Sequence, residues 1–386
     1  MYIPYGHQDI TENDIAAVVD VLRSDWLTQG PAVEKFEKEL STYCKVPFAI
    51  AVANGTAALH LACLALDIGK NDTVWSTPNT FVASTNCALF CGAKIDFVDI
   101  CTKTYNMSAK KLEEKLIAAK KTNSLPKAVI PVHFAGQSCN MKKIKSLADE
   151  YGFYIIEDAC HALGGKYLGE PIGNCQYSDI TVFSFHPVKI ITTGEGGMIT
   201  TTNEKLANKL LMLRTHGITK NADLMHNKNN GPWYYEQHDL GYNYRITDIQ
   251  CALGYSQLKK LDEFVSKRHA LVKTYNYALK DLPVITPYEE EHNYSAYHLY
   301  VIRLKLDQVT KTRKQIFSEL RDAGIGVMVH YIPVHTQPYY ENLGFHYGDF
   351  PEAEKYYEEA ITLPLYPKLK DEQQKYIINK LSEIIR

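Results

Sequence analysis

Tyr154-Ile-Ile-Glu-Asp158-Ala-Cys-His161 is a short apolar run that ends on two carboxylates. Its length and β-branched content read as a buried strand over Tyr154–Ile156 rather than a helix. The acids then stand at the strand's carboxyl end, where open α/β sheets collect their ligands. Side chains alternate along a strand, so Glu157 and Asp158 point to opposite faces and only one of them can meet a ligand. The bland reading is that either acid merely caps the following turn.

Working outward, similar apolar runs bounded by turn residues occur at Phe48–Ala53, Thr73–Ser76, Lys94–Val98, Ala128–Pro131, Ile180–Ser184 and Met198–Thr201. Helical periodicity fills the intervals near 55–66, 79–90, 107–120 and 140–151, and Thr11-Glu-Asn-Asp opens an N-capped helix ahead of them. Short, continuously apolar strands joined by helices predict a mostly parallel sheet covered on both faces, because parallel pairing needs a crossover element. The expectation is an α/β fold with a large domain over 1–280. Past about 203 the alternation gives way to helical patterns at 203–214 and 248–280, with an irregular Asn/His/Trp/Tyr-rich stretch at 219–244 between them. From 281 to 386 a strand at His298–Lys305, a helix at 311–323, an apolar run at Ile325–Tyr331 and helices near 351–360 and 371–385 predict a small C-terminal α+β domain.

Across 386 residues, 42 basic and 44 acidic side chains give a net charge of -2, without the basic footprint of a nucleic-acid binder. The amino terminus lacks a basic segment followed by an apolar one, and no apolar run is long enough to span a bilayer. The expectation is a cytoplasmic protein with no membrane partner. Nine cysteines without a C-x-x-C pair argue against a disulfide framework. Cys87 and Cys91 share a helical face, but no further ligands follow at zinc spacing, so no metal is expected and the thiols read as small buried hydrophobes.

Two further segments carry chemistry. Asn54-Gly-Thr-Ala-Ala58 joins a strand to a helix, so backbone amides and the Thr56 hydroxyl point past a helix N-terminus, which suits a phosphate or, equally, a plain cap. Ser184-Phe-His-Pro-Val-Lys189 follows another strand and leads into Thr192-Thr-Gly-Glu-Gly-Gly197. Burial there would lower the amine's pKa and favour the neutral nucleophile that a Schiff base requires. A Gly-rich hairpin with a chance lysine would look much the same.

The order of the pieces narrows these choices. The turn at Thr56, Phe81 within Thr77-Pro-Asn-Thr-Phe-Val, Asp158, Lys189 and Gly241-Tyr-Asn-Tyr-Arg-Ile-Thr-Asp248 together resemble the sugar aminotransferase family of fold-type I pyridoxal-phosphate (PLP) enzymes, from Tyr5 to the C-terminal helices. The resemblance implies PLP held as a Schiff base on Lys189, which also moves the substrate proton. It implies Asp158 beside the ring nitrogen, Phe81 and His161 beside the ring, and Thr56, Ala57 and Ser184 at the phosphate. It also implies a homodimer in which Asn243 of the partner subunit completes the phosphate cup.

Within the family the likeness is greatest to the UDP-4-keto-6-deoxy-N-acetylhexosamine 4-aminotransferases of pseudaminic-acid synthesis, through Ile3-Pro-Tyr-Gly, Asp25-Trp-Leu-Thr-Gln-Gly-Pro31, Tyr297-His-Leu-Tyr300 and Val329-His-Tyr-Ile-Pro333. Enzymes acting on UDP-4-keto-pentose or on dTDP- and GDP-linked keto-hexoses share such stretches. L-Glutamate is the amino donor implied, and Tyr5, Asp25, Trp26, Leu27, Thr28, His186, Met328, Val329, His330 and Tyr331 are the sugar-side residues. Related sugar dehydratases carry His where Lys189 stands, and non-catalytic relatives lose the lysine, so Lys189 argues against both.

Overall fold

The computed structural model describes residues 2–227 and 231–385. Seven strands form the central sheet in the spatial order Phe48–Val52, Gly197–Thr201, Ile180–Ser184, Tyr154–Asp158, Ala128–Val129, Thr73–Ser76 and Lys94–Phe97. Pairing is parallel from Ile180–Ser184 outward to Lys94–Phe97, whereas Gly197–Thr201 runs antiparallel to both its neighbours. The mostly parallel α/β fold expected from the sequence is present.

Helices Gly55–Ala65, Ala83–Phe90, Ala109–Lys121 and Met141–Tyr151 make the crossovers. Side chains of Asn54, Ser108 and Asn140 accept first-turn amides of three of them, satisfying donors the helix itself leaves unpaired. Gly152, in the left-handed region, stops Met141–Tyr151 just ahead of the Tyr154–Asp158 strand. Ile50, Val52, Ile156, Val182 and Ile199 pack with Leu59 and Leu61 in one apolar cluster, while Ala51, Phe183, Phe185 and Met198 pack with Leu261 and Phe264 in another. Both faces are thus dry, which is why the strands read as unbroken apolar runs.

Pro31–Cys44 is a helix absent from the sequence reading, with Pro at its first turn and Val33, Phe36, Leu40 and Cys44 buried. The pattern at 248–280 is two helices, Asp248–Leu258 and Leu261–Leu279. At the break Lys260 donates to Asp14 Oδ2 at 2.5 Å, and the first helix packs on Glu12–Leu22 and Pro31–Cys44.

Toward the carboxyl end, Val284–Ile285, Tyr300–Leu304 and Ala360–Leu363 form an antiparallel sheet. Its apolar cluster takes residues from Arg313–Asp322 and Asp371–Ile385 and reaches back to Ile3, Leu271, Tyr275 and Leu279. The run Ile325–Tyr331 makes only isolated bridges, Ile325 to Ile3 and Met328 to Thr362. It therefore serves to carry His330 and Tyr331 toward the central sheet. In the 219–244 stretch, Ile218–Thr219 pairs with Glu236–Gln237, and Trp233 and Leu240 are 76% and 77% exposed. No helix among the described residues is long and apolar enough to cross a membrane.

Candidate active site

Asp158 closes its strand with a buried carboxylate. Oδ2 accepts from Ser84 Oγ at 2.5 Å and Oδ1 from the Cys160 N–H at 3.1 Å, while Ser84 Oγ shares a 2.7 Å hydrogen bond with Thr80 Oγ1. Glu157 is turned to the other face, where His133 Nε2 lies at 2.6 Å and Ser178 Oγ and Thr181 Oγ1 donate at 2.5 and 3.2 Å. Both oxygens of that acid are engaged in structure. The two acids therefore have separate partners, as the alternation requires, and Asp158 is the one whose charge reaches Lys189.

Lys189 sits in the turn after the adjacent strand Ile180–Ser184, with its N–H donating to His186 O at 2.8 Å. Burial pushes its amine below the ordinary lysine value, against the opposing pull of Cys160 and Asp158. A lysine with reduced proton affinity near a fixed carboxylate has the chemistry a Schiff base calls for.

At the phosphate end, Asn54 Oδ1 accepts the Ala57 N–H at 2.8 Å. That cap occupies Ala57's own amide and leaves Gly55, Thr56 and the Thr56 hydroxyl as the donors at the helix start. A Cβ on Gly55 would lie 2.9 Å from Ser184 Cβ, and one on Gly197 would lie 2.6 Å from Asn54 O. Glycine at both places lets the helix start, the Ser184 strand end and the neighbouring strand close into a cradle. A phosphate with a heteroaromatic ring between this cradle and Asp158 fits the residues present.

Around the ring position, Ala135 donates its N–H to His161 Nδ1 at 3.3 Å, which assigns the proton to Nε2, 3.0 Å from Tyr331 Oη. Burial, then the Lys189 charge, holds His161 well below the usual imidazole value, so it is neutral. His298 lies 4.5 Å from His161, centroid to centroid. Phe81 is 57% exposed, 6.4 Å from the Tyr331 ring, with an open face available for stacking.

From the far side come Tyr5, 5.4 Å from the His330 ring, and His330 itself, whose Nδ1 is 2.8 Å from Thr362 Oγ1. Met328 and Val329 are half-buried beside them, and Met328 exchanges backbone hydrogen bonds with Thr362. His186 is exposed at the mouth, its N–H 3.5 Å from Ser184 Oγ.

Asp25, Trp26, Leu27 and Thr28 are all exposed, and their backbone contacts run to Thr247 and Asp248. Asn243 is exposed too, bridging Thr215, between Tyr242 and Tyr244, which stack at 5.0 Å. The chain thus gathers Thr56, Phe81, Asp158, His161, Ser184, Lys189, Tyr5, His330 and Tyr331 into one region, and presents Asp25–Thr28 and Asn243 outward. Sequence reasoning missed Ser84, Thr80, Asn54 and His298. Thr80 and Ser84 are four apart, a helical spacing that pairs them, but nothing local points to Asp158.

The profile of the DegT/DnrJ/EryC1/StrS aminotransferase family matches residues 8–382. The chain belongs to that family. It is similar to the spore coat polysaccharide biosynthesis protein SpsC of Bacillus subtilis, 39% identical over 100% of this chain and 97% of the relative. Another relative is the UDP-4-amino-4,6-dideoxy-N-acetyl-beta-L-altrosamine transaminase of Campylobacter jejuni, 36% identical over 99% of this chain and 97% of that one.

Among solved structures it is similar to a putative sugar aminotransferase from Streptococcus pneumoniae in its PLP form, with 32% identity, TM-score 0.89, and coverage of 100% and 98% of the two chains. It is also similar to Helicobacter pylori PseC, an aminotransferase involved in the biosynthesis of pseudoaminic acid, with 30% identity, TM-score 0.90, and coverage of 100% and 99%. This family member is a PLP-dependent sugar aminotransferase whose cofactor is carried as a Schiff base on a lysine.

Proposed function

We propose that the protein transfers the amino group of L-glutamate to C4 of a UDP-linked 4-keto-6-deoxy-N-acetylhexosamine, a reaction of pseudaminic-acid synthesis. The 36% identity to the altrosamine transaminase, running end to end, is the observation that carries this reading, and the similarity to H. pylori PseC supports it. Lys189 is the Schiff-base lysine and the group that moves the substrate proton. Its lowered proton affinity suits both tasks. Asp158, held by Ser84 and the Cys160 amide, keeps the ring nitrogen protonated. PLP, when bound, supplies an electron sink for charge left on the substrate carbon.

Thr56 and Ser184 cradle the phosphate, Ala57 lies beside them with its N–H held by Asn54 Oδ1, and Phe81 and His161 flank the ring. Tyr5, His186 and Met328–Tyr331 line the nucleotide-sugar side. The exposure of Asp25–Thr28 and Asn243, together with that of the large apolar Trp233 and Leu240, supports a homodimer, with Asn243 of the partner subunit completing the phosphate cup. Division into a cofactor-binding domain over 1–280 and a smaller one over 281–386 belongs to the same proposal.

The test is to follow the cofactor absorbance of the purified protein. L-Glutamate should bleach the yellow form, and the UDP-4-keto-sugar should restore it in a single turnover. Restoration by a dTDP- or GDP-linked keto-hexose instead would move the assignment to that substrate.

A further inference from the structure

Thr80 stands just before the helix Ala83–Phe90 and Ser84 in its first turn, and both are buried. Ser84 Oγ is 2.5 Å from Asp158 Oδ2 and 2.7 Å from Thr80 Oγ1. A carboxylate only accepts, so the Ser84 proton lies toward Asp158. Ser84 then has only lone pairs to offer Thr80, and the Thr80 proton lies toward Ser84. Both hydroxyls are thereby ordered with one polarity, from Thr80 through Ser84 to Asp158. The turn that carries them is pinned from outside. Asn79 Oδ1 accepts the Tyr331 N–H at 3.3 Å, Asn79 Nδ2 donates to Tyr105 O at 3.2 Å, and Pro78 O accepts the Val334 N–H at 2.9 Å. The Ser84 N–H returns to Phe81 O at 3.1 Å, so the side chain beside the ring and the donor to the acid share one turn.

We propose that Thr80 and Ser84 are positioning residues, a two-hydroxyl relay that keeps Asp158 ionised and aimed at the cofactor's ring nitrogen. The role rests on Asp158 being the partner of that nitrogen, as proposed above. A buried carboxylate is costly to keep charged unless donors are arranged around it. Here the Cys160 N–H serves Oδ1 and the Ser84 hydroxyl serves Oδ2. Both donors are neutral, so the acid keeps its full charge for a cationic ring nitrogen. Thr80, by donating to Ser84, polarises that hydroxyl and strengthens its bond to the acid.

Loss of the Ser84 hydroxyl removes a hydrogen bond that favours the charged acid. The proton shared with the ring nitrogen then shifts toward the carboxylate, and the ring draws charge from the substrate carbon less well. Loss of the Thr80 hydroxyl weakens the same bond at one remove, so its effect has the same sign and a smaller size.

The experiment loads the protein and its variants with PLP carrying nitrogen-15 in the ring. It reads the ring-nitrogen chemical shift by NMR together with the rate of the L-glutamate half-reaction, in which no sugar takes part. In Ser84→Ala the nitrogen signal should move from the protonated toward the neutral position, and the half-reaction should slow roughly tenfold. Thr80→Val keeps the volume and removes the hydroxyl; it should move the signal the same way by less and slow the rate roughly two- to threefold. Ser84→Thr keeps the hydroxyl and should return both readings toward the parental values. A pair with a merely structural role would lower the unfolding midpoint and leave the nitrogen signal in place. That result in folded Ser84→Ala, beside a shifted signal in Asp158→Asn, overturns the relay and spares the role of Asp158. An unshifted signal in Asp158→Asn overturns both.

Discussion

Replacing Asp158 by Asn separates the charge of the acid from its shape. Asp158 Oδ2 takes a 2.5 Å hydrogen bond from Ser84 Oγ, and Oδ1 a 3.1 Å bond from the Cys160 amide. An Asn can keep its carbonyl oxygen on the Cys160 N–H and offer its amide to Ser84, whose hydroxyl then rotates to donate toward Thr80 Oγ1 at 2.7 Å. Shape survives, and the stability lost is the difference between a charged and a neutral hydrogen bond, about 1 kcal/mol.

Removing the negative charge lowers the proton affinity of the paired ring nitrogen by roughly 1–3 pKa units, or about 1.4–4 kcal/mol. The half-reaction with L-glutamate should therefore slow by roughly ten- to a thousandfold with the cofactor still bound. Single-turnover absorbance on the reconstituted variant measures it. Glu157→Gln is the matched control. His133, Ser178 and Thr181 surround that acid, so the variant should lose about 2–3 kcal/mol of stability while its folded fraction reacts at nearly the parental rate. If folded Glu157→Gln is crippled and Asp158→Asn reacts normally, the assignment of faces along this strand is wrong.

Lys189→Ala should fold and hold cofactor without turning over, and borohydride reduction of the parent should place the cofactor mass on the Lys189 peptide; an adduct on another lysine would refute the role. Inactive Lys189→Ala and Asn243→Ala chains, mixed and exchanged, should regain activity by forming one intact site per heterodimer, and failure in demonstrated heterodimers would remove the shared cup. Stability should fall on acidification, because His330 is pushed down to about 3 by burial, then by the Lys189 charge, and His161 and His298 are lowered in the same way. Below pH 6.5 the unfolded chain binds protons that the folded chain refuses, so each such histidine removes up to about 1.4 kcal/mol per pH unit down to its folded pKa. Urea unfolding at pH 7 and pH 5 checks the sign, and equal or greater stability at pH 5 would contradict it.

The central sheet was legible because each strand is buried on both faces and bounded by turn residues: Thr73–Ser76 and Ile180–Ser184 have the same limits in sequence and structure. Pro31–Cys44 is not marked in the sequence by a side-chain N-cap, since Gly30 stands at its start, although Val33, Phe36, Leu40 and Cys44 make a buried stripe. The break at Lys259 and Lys260 has no local signal, as it follows from the distant Asp14. Asp158, Lys189 and Thr56 could be picked out because Asp158 ends a strand, Lys189 lies in the turn that follows one, and Thr56 stands in the first turn of a helix. Ser84 could not, since its partner Asp158 is 74 residues away. The outward placement of Asp25–Thr28 is likewise a tertiary fact that motif order cannot supply, whereas the Asn54 cap on Ala57 is local.

The substrate assignment meets its most direct test in a product analysis. The holoenzyme is given nitrogen-15 L-glutamate with equal concentrations of UDP-4-keto-6-deoxy-N-acetylhexosamine, UDP-4-keto-pentose, and dTDP- and GDP-linked 4-keto-6-deoxyhexoses, and the products are read by mass spectrometry and NMR. The label is expected on C4 of the UDP-linked N-acetylhexosamine ahead of every competitor. Label chiefly on another nucleotide sugar, or at a carbon other than C4, would contradict it.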